Sequence, residues 1–188
     1  MNEAALVKAA ERFAQPFYGE PHRAYHNVAH VASMLAALAS RGVLTSTLAL
    51  AAWGHDLIYD PRAGDNEEQS AEVFGEWLTA QGADARLAQG VRGLILATKH
   101  SAPPATRGEA LLVDADLSIL GAAPEAFAAY DRAIRQEYRH VPTLRYSTGR
   151  KKVLQGFLER KRIYTAPEFA GLEDQARTNL EAAIRELK

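Results

Sequence analysis

Three of the six histidines in this 188-residue chain lie between Tyr25 and Asp56. His26 and His30 belong to the segment YHNVAH, and His55 is followed directly by Asp56 in the segment WGHDLIYD. Neutral imidazoles and carboxylates are the groups with which proteins bind divalent ions such as Mn, Fe, Ni, Zn and Mg. The residue types and their spacing therefore indicate a site for a divalent metal ion.

A further ligand is expected from the segment EALLVDADLSIL, which is strongly hydrophobic and yet contains Asp114 and Asp116. A buried carboxylate without a partner is costly to keep ionised, and a metal ion would supply the missing positive charge. Periodicity does not separate the two aspartates, so either one can complete a set with His30, His55 and Asp56. The other would then form a cap or position a ligand.

Hydrophobic periodicity indicates that helices position these side chains. Asn27 is placed to cap a helix that ends near Arg41, and Thr45 or Ser46 begins a helix that closes with His55 and Asp56. Residues 16–25 contain two prolines and are expected to form a loop. Helical patterns, several with capping signals, are also found at 3–15, 65–80, 84–98, 109–120, 124–139, 147–161 and 165–184.

No segment shows the strict alternation of polar and apolar residues that is typical of a half-buried strand. The length of 188 residues fits one domain with a substantial core better than two domains. The sequence therefore predicts an all-α fold, in which residues 1–188 form a single domain of about eight helices.

The composition excludes several kinds of function. The chain has no cysteine, so disulfides, thiolate metal sites and a cysteine nucleophile are ruled out. The net charge of −1 and the lack of a long basic run give no reason to expect a nucleic acid polymer as partner. The first residues are charged rather than typical of a signal peptide, and no apolar run is long enough to span a membrane. A cytoplasmic location with no membrane partner is expected.

The order His, His-Asp, Asp resembles the signature of the HD superfamily of metal-dependent phosphohydrolases. The segments YHNVAH, WGHDLIYDP, NEEQS and VDADLSILG are similar to a small branch of predicted phosphohydrolases, over nearly the whole chain. YHN-x-x-H and A-D-L-S also resemble motifs of the cyclic nucleotide phosphodiesterases, a distant branch. The resemblance implies an HD-type helical bundle with His26 as general acid. The metal ligands that it implies are His30, His55, Asp56 and Asp116.

The resemblance also implies hydrolysis of a phosphate ester, in a nucleotide or another small phosphorylated metabolite. A divalent ion (Mn, Fe, Mg, Ni or Zn) would activate water, and His26 would protonate the leaving oxygen. Asp56 belongs with His26 to the expected catalytic set. No match to the substrate-pocket residues of the phosphodiesterases is found, so cyclic nucleotides do not follow. The candidate substrate contacts are His100, Lys99, Glu67 and Arg150.

Simpler interpretations and other functions fit the same residues. His55 can be a helix C-terminal histidine stabilised by the helix dipole, and His30 a polar residue of a first turn. His26 and His100 can be loop residues without chemistry. The chain can also be a non-catalytic helical module that binds a metal ion or a nucleotide and signals through partner contacts. A third alternative is a di-iron HD-type oxygenase, which would need a second set of ligands.

Overall fold

The computed structural model describes residues 2–187, which contain nine α-helices, two 3₁₀ segments and no strand. An all-α fold of about eight helices is thereby confirmed. The 3₁₀ segments are Leu117–Gly121 and Pro167–Leu172. The α-helices are α1 (Glu3–Tyr18), α2 (Val28–Ser40), α3 (Ser46–Gly54), α4 (Asn66–Ala80), α5 (Ala85–Ala97), α6 (Arg107–Asp116), α7 (Pro124–Glu137), α8 (Thr143–Leu158) and α9 (Glu173–Glu186).

Helix α3 lies in the middle of the hydrophobic core, and its last seven residues, 48–54, are all buried. A helix that is apolar on every side requires neighbours on every side, and α3 packs against α1, α2, α4, α5 and α6. At Gly54 a Cβ atom would lie only 2.6 Å from the ring of Phe74 and 2.8 Å from Ile95. Glycine therefore permits the close approach that buries the end of α3, directly before His55.

The helix starts that matter for the site are set by local hydrogen bonds. Asn27 Oδ1 accepts a hydrogen bond of 2.9 Å from the backbone N–H of Ala29, which begins α2. Thr45 Oγ1 accepts one of 3.2 Å from the N–H of Leu48, which begins α3. The Asn27 cap was predicted from the sequence and is confirmed, and of the two residues predicted to begin α3, Thr45 is the one that caps it. The Asn27 cap sets the start of α2 and with it the place of His30 in the first turn.

Some predicted boundaries are wrong. Helix α1 continues through Pro16 to Tyr18, whose side chain is buried, because a proline near a helix end removes only one backbone hydrogen bond. Asp65 precedes α4 but makes no capping hydrogen bond with its side chain. Helix α8 begins directly after Pro142, four residues before the predicted Ser147. Val153, expected in the core, is 51% exposed.

Within residues 2–187, no helix combines the length and the apolar character that a membrane crossing would require.

Candidate metal centre

His30, His55 and Asp56 form a cluster in which one ligand atom of each lies within 4.8 Å of the others. His30 is in the first turn of α2, and His55 and Asp56 directly follow α3. His30 Nε2 is 3.2 Å from His55 Nε2, and His55 Nε2 is 2.9 Å from Asp56 Oδ2. Atoms that bind one ion at about 2.1 Å stand about 3 Å apart when they are at right angles, so these spacings suit a shared metal ion.

Asp116 joins this cluster from the end of α6. Its Oδ1 atom is 3.0 Å from His30 Nε2 and 3.9 Å from His55 Nε2. Asp114 points elsewhere, because its Oδ2 atom accepts hydrogen bonds from the backbone N–H groups of Thr165 (2.8 Å) and Ala166 (2.6 Å). The structure therefore brings Asp116 to the two histidines, whereas Asp114 caps a distant loop rather than positioning a ligand.

The hydrogen bonds around the cluster leave the expected ligand atoms available. His55 Nδ1 donates to the carbonyl oxygen of Ala52 at 2.8 Å, so in the neutral ring the lone pair belongs to Nε2, which faces the cluster. Arg23 donates to the main-chain oxygen of Asp56 at 2.6 Å rather than to its carboxylate. Among residues 2–187, no lysine or arginine makes an ion pair with Asp56 or Asp116. A cation would supply the missing charge, and this nitrogen and oxygen set suits a divalent transition metal ion.

Charge within the cluster shifts the protonation of its members. Burial alone would raise the pKa of Asp56, but the imidazoles of His55 and His26 outweigh burial and lower the pKa well below its usual value. Burial alone would lower the pKa of His55, but the carboxylates of Asp56 and Asp116 raise that pKa to about 9. The carboxylate of Asp56 is thus ionised, and a proton on His55 offsets its charge. A metal ion would displace this proton.

His100 contacts the other side of Asp116. Its Nε2 atom is 3.0 Å from Asp116 Oδ2, so the carboxylate lies between His100 and His30. Burial alone would raise the pKa of Asp116, but the hydrogen bonds from His100 and His30 outweigh it and lower the pKa. His100 has φ of 55°, a left-handed conformation that is uncommon for residues other than glycine. The hydrogen bond to Asp116 holds this imidazole against the cluster.

His26 stands beside the cluster, with its ring 5.9 Å from that of His30. Its Nδ1 atom donates to Glu137 Oε2 at 2.7 Å. Burial alone would lower the pKa of His26, but the negative charge of Asp56 and the hydrogen bond to Glu137 raise it. A protonated imidazole held in this way is suited to donate a proton near neutral pH.

Glu137, at the end of α7, holds His26 and was not predicted from the sequence. Its side chain is fully buried and accepts three further hydrogen bonds, from the N–H groups of Tyr25 (2.7 Å) and His26 (3.0 Å) and from the hydroxyl of Tyr59 (2.8 Å). A lone glutamate on an amphipathic helix carries no sequence signal that separates it from a solvated residue.

Arg23 was also missed; it is buried and donates hydrogen bonds to the main-chain oxygens of His26, Asp56 and Leu57.

The other candidate substrate contacts differ in whether they already have a charged partner. Lys99 is paired with the carboxylate of Glu68 and also donates to the main-chain oxygen of Gly64 at 3.0 Å. Arg150 is buried and its Nε atom donates to Asp131 at 2.9 Å. Both cations therefore already have an acidic partner. Glu67 lines the space next to the cluster without a salt bridge of its own within residues 2–187.

Three cavities open beside the cluster. The first, of about 450 Å³, is lined by His30 and Asp116, and two more lie nearby. One, of about 320 Å³, is lined by His55 and Asp56. The other, of about 640 Å³, lies between α7 and α8. These two share His26, Asp116 and His100, so both reach the cluster. Their sizes are those of cavities that bind small molecules in proteins.

Comparisons of the chain with descriptions of protein families, with curated proteins and with solved structures found no match in any of the three. The structure itself shows a cluster of His30, His55 and Asp56 that could hold a metal ion.

Proposed function

We propose that this protein is a metal-dependent hydrolase of phosphate esters, of the HD type that its motifs resemble. The observation that supports the proposal most is the meeting of His30, His55 and Asp56 with Asp116 from three separate parts of the chain. A candidate proton donor, His26, stands next to them. The substrate class is a nucleotide or another small phosphorylated metabolite.

The cluster residues would hold a divalent ion of the Mn, Fe, Mg, Ni or Zn type. When bound, such an ion activates water and neutralises charge on a phosphoryl group. His26 would give a proton to the leaving oxygen of the ester, because its raised pKa favours the protonated ring. Glu137 would hold the His26 ring in place and stabilise its positive charge. The supporting features are thus a metal-ready donor set and an acid that is separate from it.

The contact between His100 and Asp116 favours a second candidate, a di-iron HD-type oxygenase. An imidazole 3.0 Å from the free oxygen of a ligating carboxylate is the kind of group that a second ion would need. Iron content and a di-iron absorption spectrum after aerobic and anaerobic purification separate the two candidates. A mononuclear protein that hydrolyses phosphate esters contradicts the oxygenase.

The direct test is hydrolysis of a panel of phosphorylated metabolites in the presence of Mn²⁺ or Mg²⁺. We expect release of inorganic phosphate from at least part of the panel. His26→Ala should lower kcat by about 10²–10⁴-fold, the usual contribution of general acid catalysis, with the metal content unchanged. His140→Ala is the matched control, because His140 is an exposed histidine outside the cluster. Binding without turnover across the panel would contradict the hydrolase and favour a non-catalytic binding module.

A further inference from the structure

The cavity of about 640 Å³ between α7 and α8 has a mostly apolar wall that the metal centre does not require. It reaches the cluster at Asp116, His26 and His100 and extends from there along the two helices. Aromatic and aliphatic side chains make up most of the wall away from the cluster: Tyr130, Ile134, Tyr138, Tyr146, Val153 and Phe157.

Few positively charged side chains around this cavity are free to bind a second phosphate. Arg150 is already paired with Asp131, at 2.8 Å from Nη2 to Oδ1, and Lys99 is paired with Glu68. Arg145, at the exposed rim, is the one cation of the wall without an acidic partner among residues 2–187. Desolvation of an aromatic ring against such a wall is favourable, whereas a polyphosphate would lose hydration without gaining several cations.

Gly149 is an exposed residue of α8 that lines the cavity. It lies with Arg145, Val153 and Phe157 on the side of α8 that lines the cavity, at spacings of four residues. A Cβ atom at Gly149 would meet no other atom within 4 Å, so packing does not require a glycine there. Glycine inside a helix lowers stability relative to alanine, and its missing side chain leaves space beside the cavity.

We propose that this cavity receives the organic part of the substrate, an aromatic group, and that Gly149 sets the size of the group that enters. The proposal rests on the proposed function for its ligand, a phosphate ester with its phosphoryl group at the cluster. It adds that the other half of the ester is an uncharged ring rather than a second phosphate.

The test compares two non-hydrolysable phosphonates on the Mn²⁺-loaded protein by calorimetry: naphthylmethylphosphonate and methylphosphonate. The unsubstituted protein should bind the naphthyl compound at least about tenfold more tightly, because the ring is buried. Gly149→Leu should remove about that tenfold advantage and leave the affinity for methylphosphonate unchanged. Gly156→Leu is the matched control, because Gly156 lies in α8, has the same open surroundings and does not line the cavity.

The outcomes separate this proposal from the proposed function. Equal affinities for the two phosphonates, no binding of either, or a full naphthyl advantage in Gly149→Leu would each overturn the aromatic site. Hydrolysis of phosphate esters would still stand if it had been measured. Conversely, a naphthyl advantage that is lost in Gly149→Leu and kept in Gly156→Leu supports the aromatic site even in a protein that shows no turnover.

Discussion

His26 and Glu137 are 111 positions apart in the sequence, yet they share a hydrogen bond of 2.7 Å. The histidine was a candidate from its place in YHNVAH, whereas the glutamate had no pattern to mark it. The difference is physical: residues close in sequence reveal a shared site through spacing, but a partner on a distant helix is set by how the helices pack. At the scale of single residues, the candidate metal ligands were therefore predictable and the glutamate that contacts His26 was not.

Replacing Glu137 by glutamine should change the pH dependence of catalysis. The carboxylate raises the pKa of His26, so the neutral amide should let that pKa fall. Since the proposed general acid His26 must be protonated to act, the decline of kcat/KM with rising pH should move to lower pH. We also expect kcat to fall by about 10–100-fold, as for other residues that orient a site, with the metal content unchanged. Glu125→Gln, at an exposed position of α7, is the control, and a pH profile of Glu137→Gln that matches it would refute the role.

Alanine substitutions at the two aspartates of α6 should have opposite effects. Asp114→Ala leaves the N–H groups of Thr165 and Ala166 without their acceptor, which should lower the free energy of unfolding by about 1–3 kcal/mol. Metal affinity should be retained. Asp116→Ala should weaken metal binding strongly. Urea unfolding and metal titration of both variants check this assignment, and a loss of metal affinity in Asp114→Ala alone would reverse it.

The helices that carry the cluster begin where their capping residues predict, whereas the end of α1 is set by burial of its last residues. Asn27 and Thr45 cap their helices as their side chains predict. Pro16 was expected to end α1, but burial of Tyr18 and its hydrogen bond to the main-chain oxygen of Trp53 (3.2 Å) favour one more turn. Asp65 has the residue type of a cap without making the bond. Local chemistry therefore predicted the starts of α2 and α3, which carry the cluster, but not the start of α8 or the extension of α1.

Two glycines inside α8 provide a prediction about helix stability. A Cβ atom added at Gly149 or Gly156 would have no neighbouring atom within 4 Å, so alanine should fit at both positions. Each substitution to alanine should raise the free energy of unfolding by about 0.5–1 kcal/mol, because alanine loses less backbone entropy on folding. Urea unfolding of the two variants measures the change. A decrease in stability at either position would show that the helix surface there is not open.

The arrangement of the whole molecule brings the candidate metal ligands together, and this was the part least accessible from sequence. Helix α3 is buried in the core, α2 and α6 pack against each other, and His55 follows the end of α3. The motif order implied that the ligands meet, and periodicity predicted the helices that carry them, but neither showed how those helices pack against one another. The four side chains meet because of core packing such as that around Gly54. That packing involves apolar side chains and none of the ligand atoms.

The central claim is that these side chains hold a metal ion, and metal content measures it most directly. After loading with Mn²⁺ and removal of free ion, elemental analysis should find about one ion per chain in the unsubstituted protein and in Asp114→Ala. His55→Ala and Asp56→Ala should retain almost none, while circular dichroism shows the same helix content. If His55→Ala and Asp56→Ala keep the metal content of the unsubstituted protein, the cluster is not a metal centre and the proposed hydrolase loses its basis.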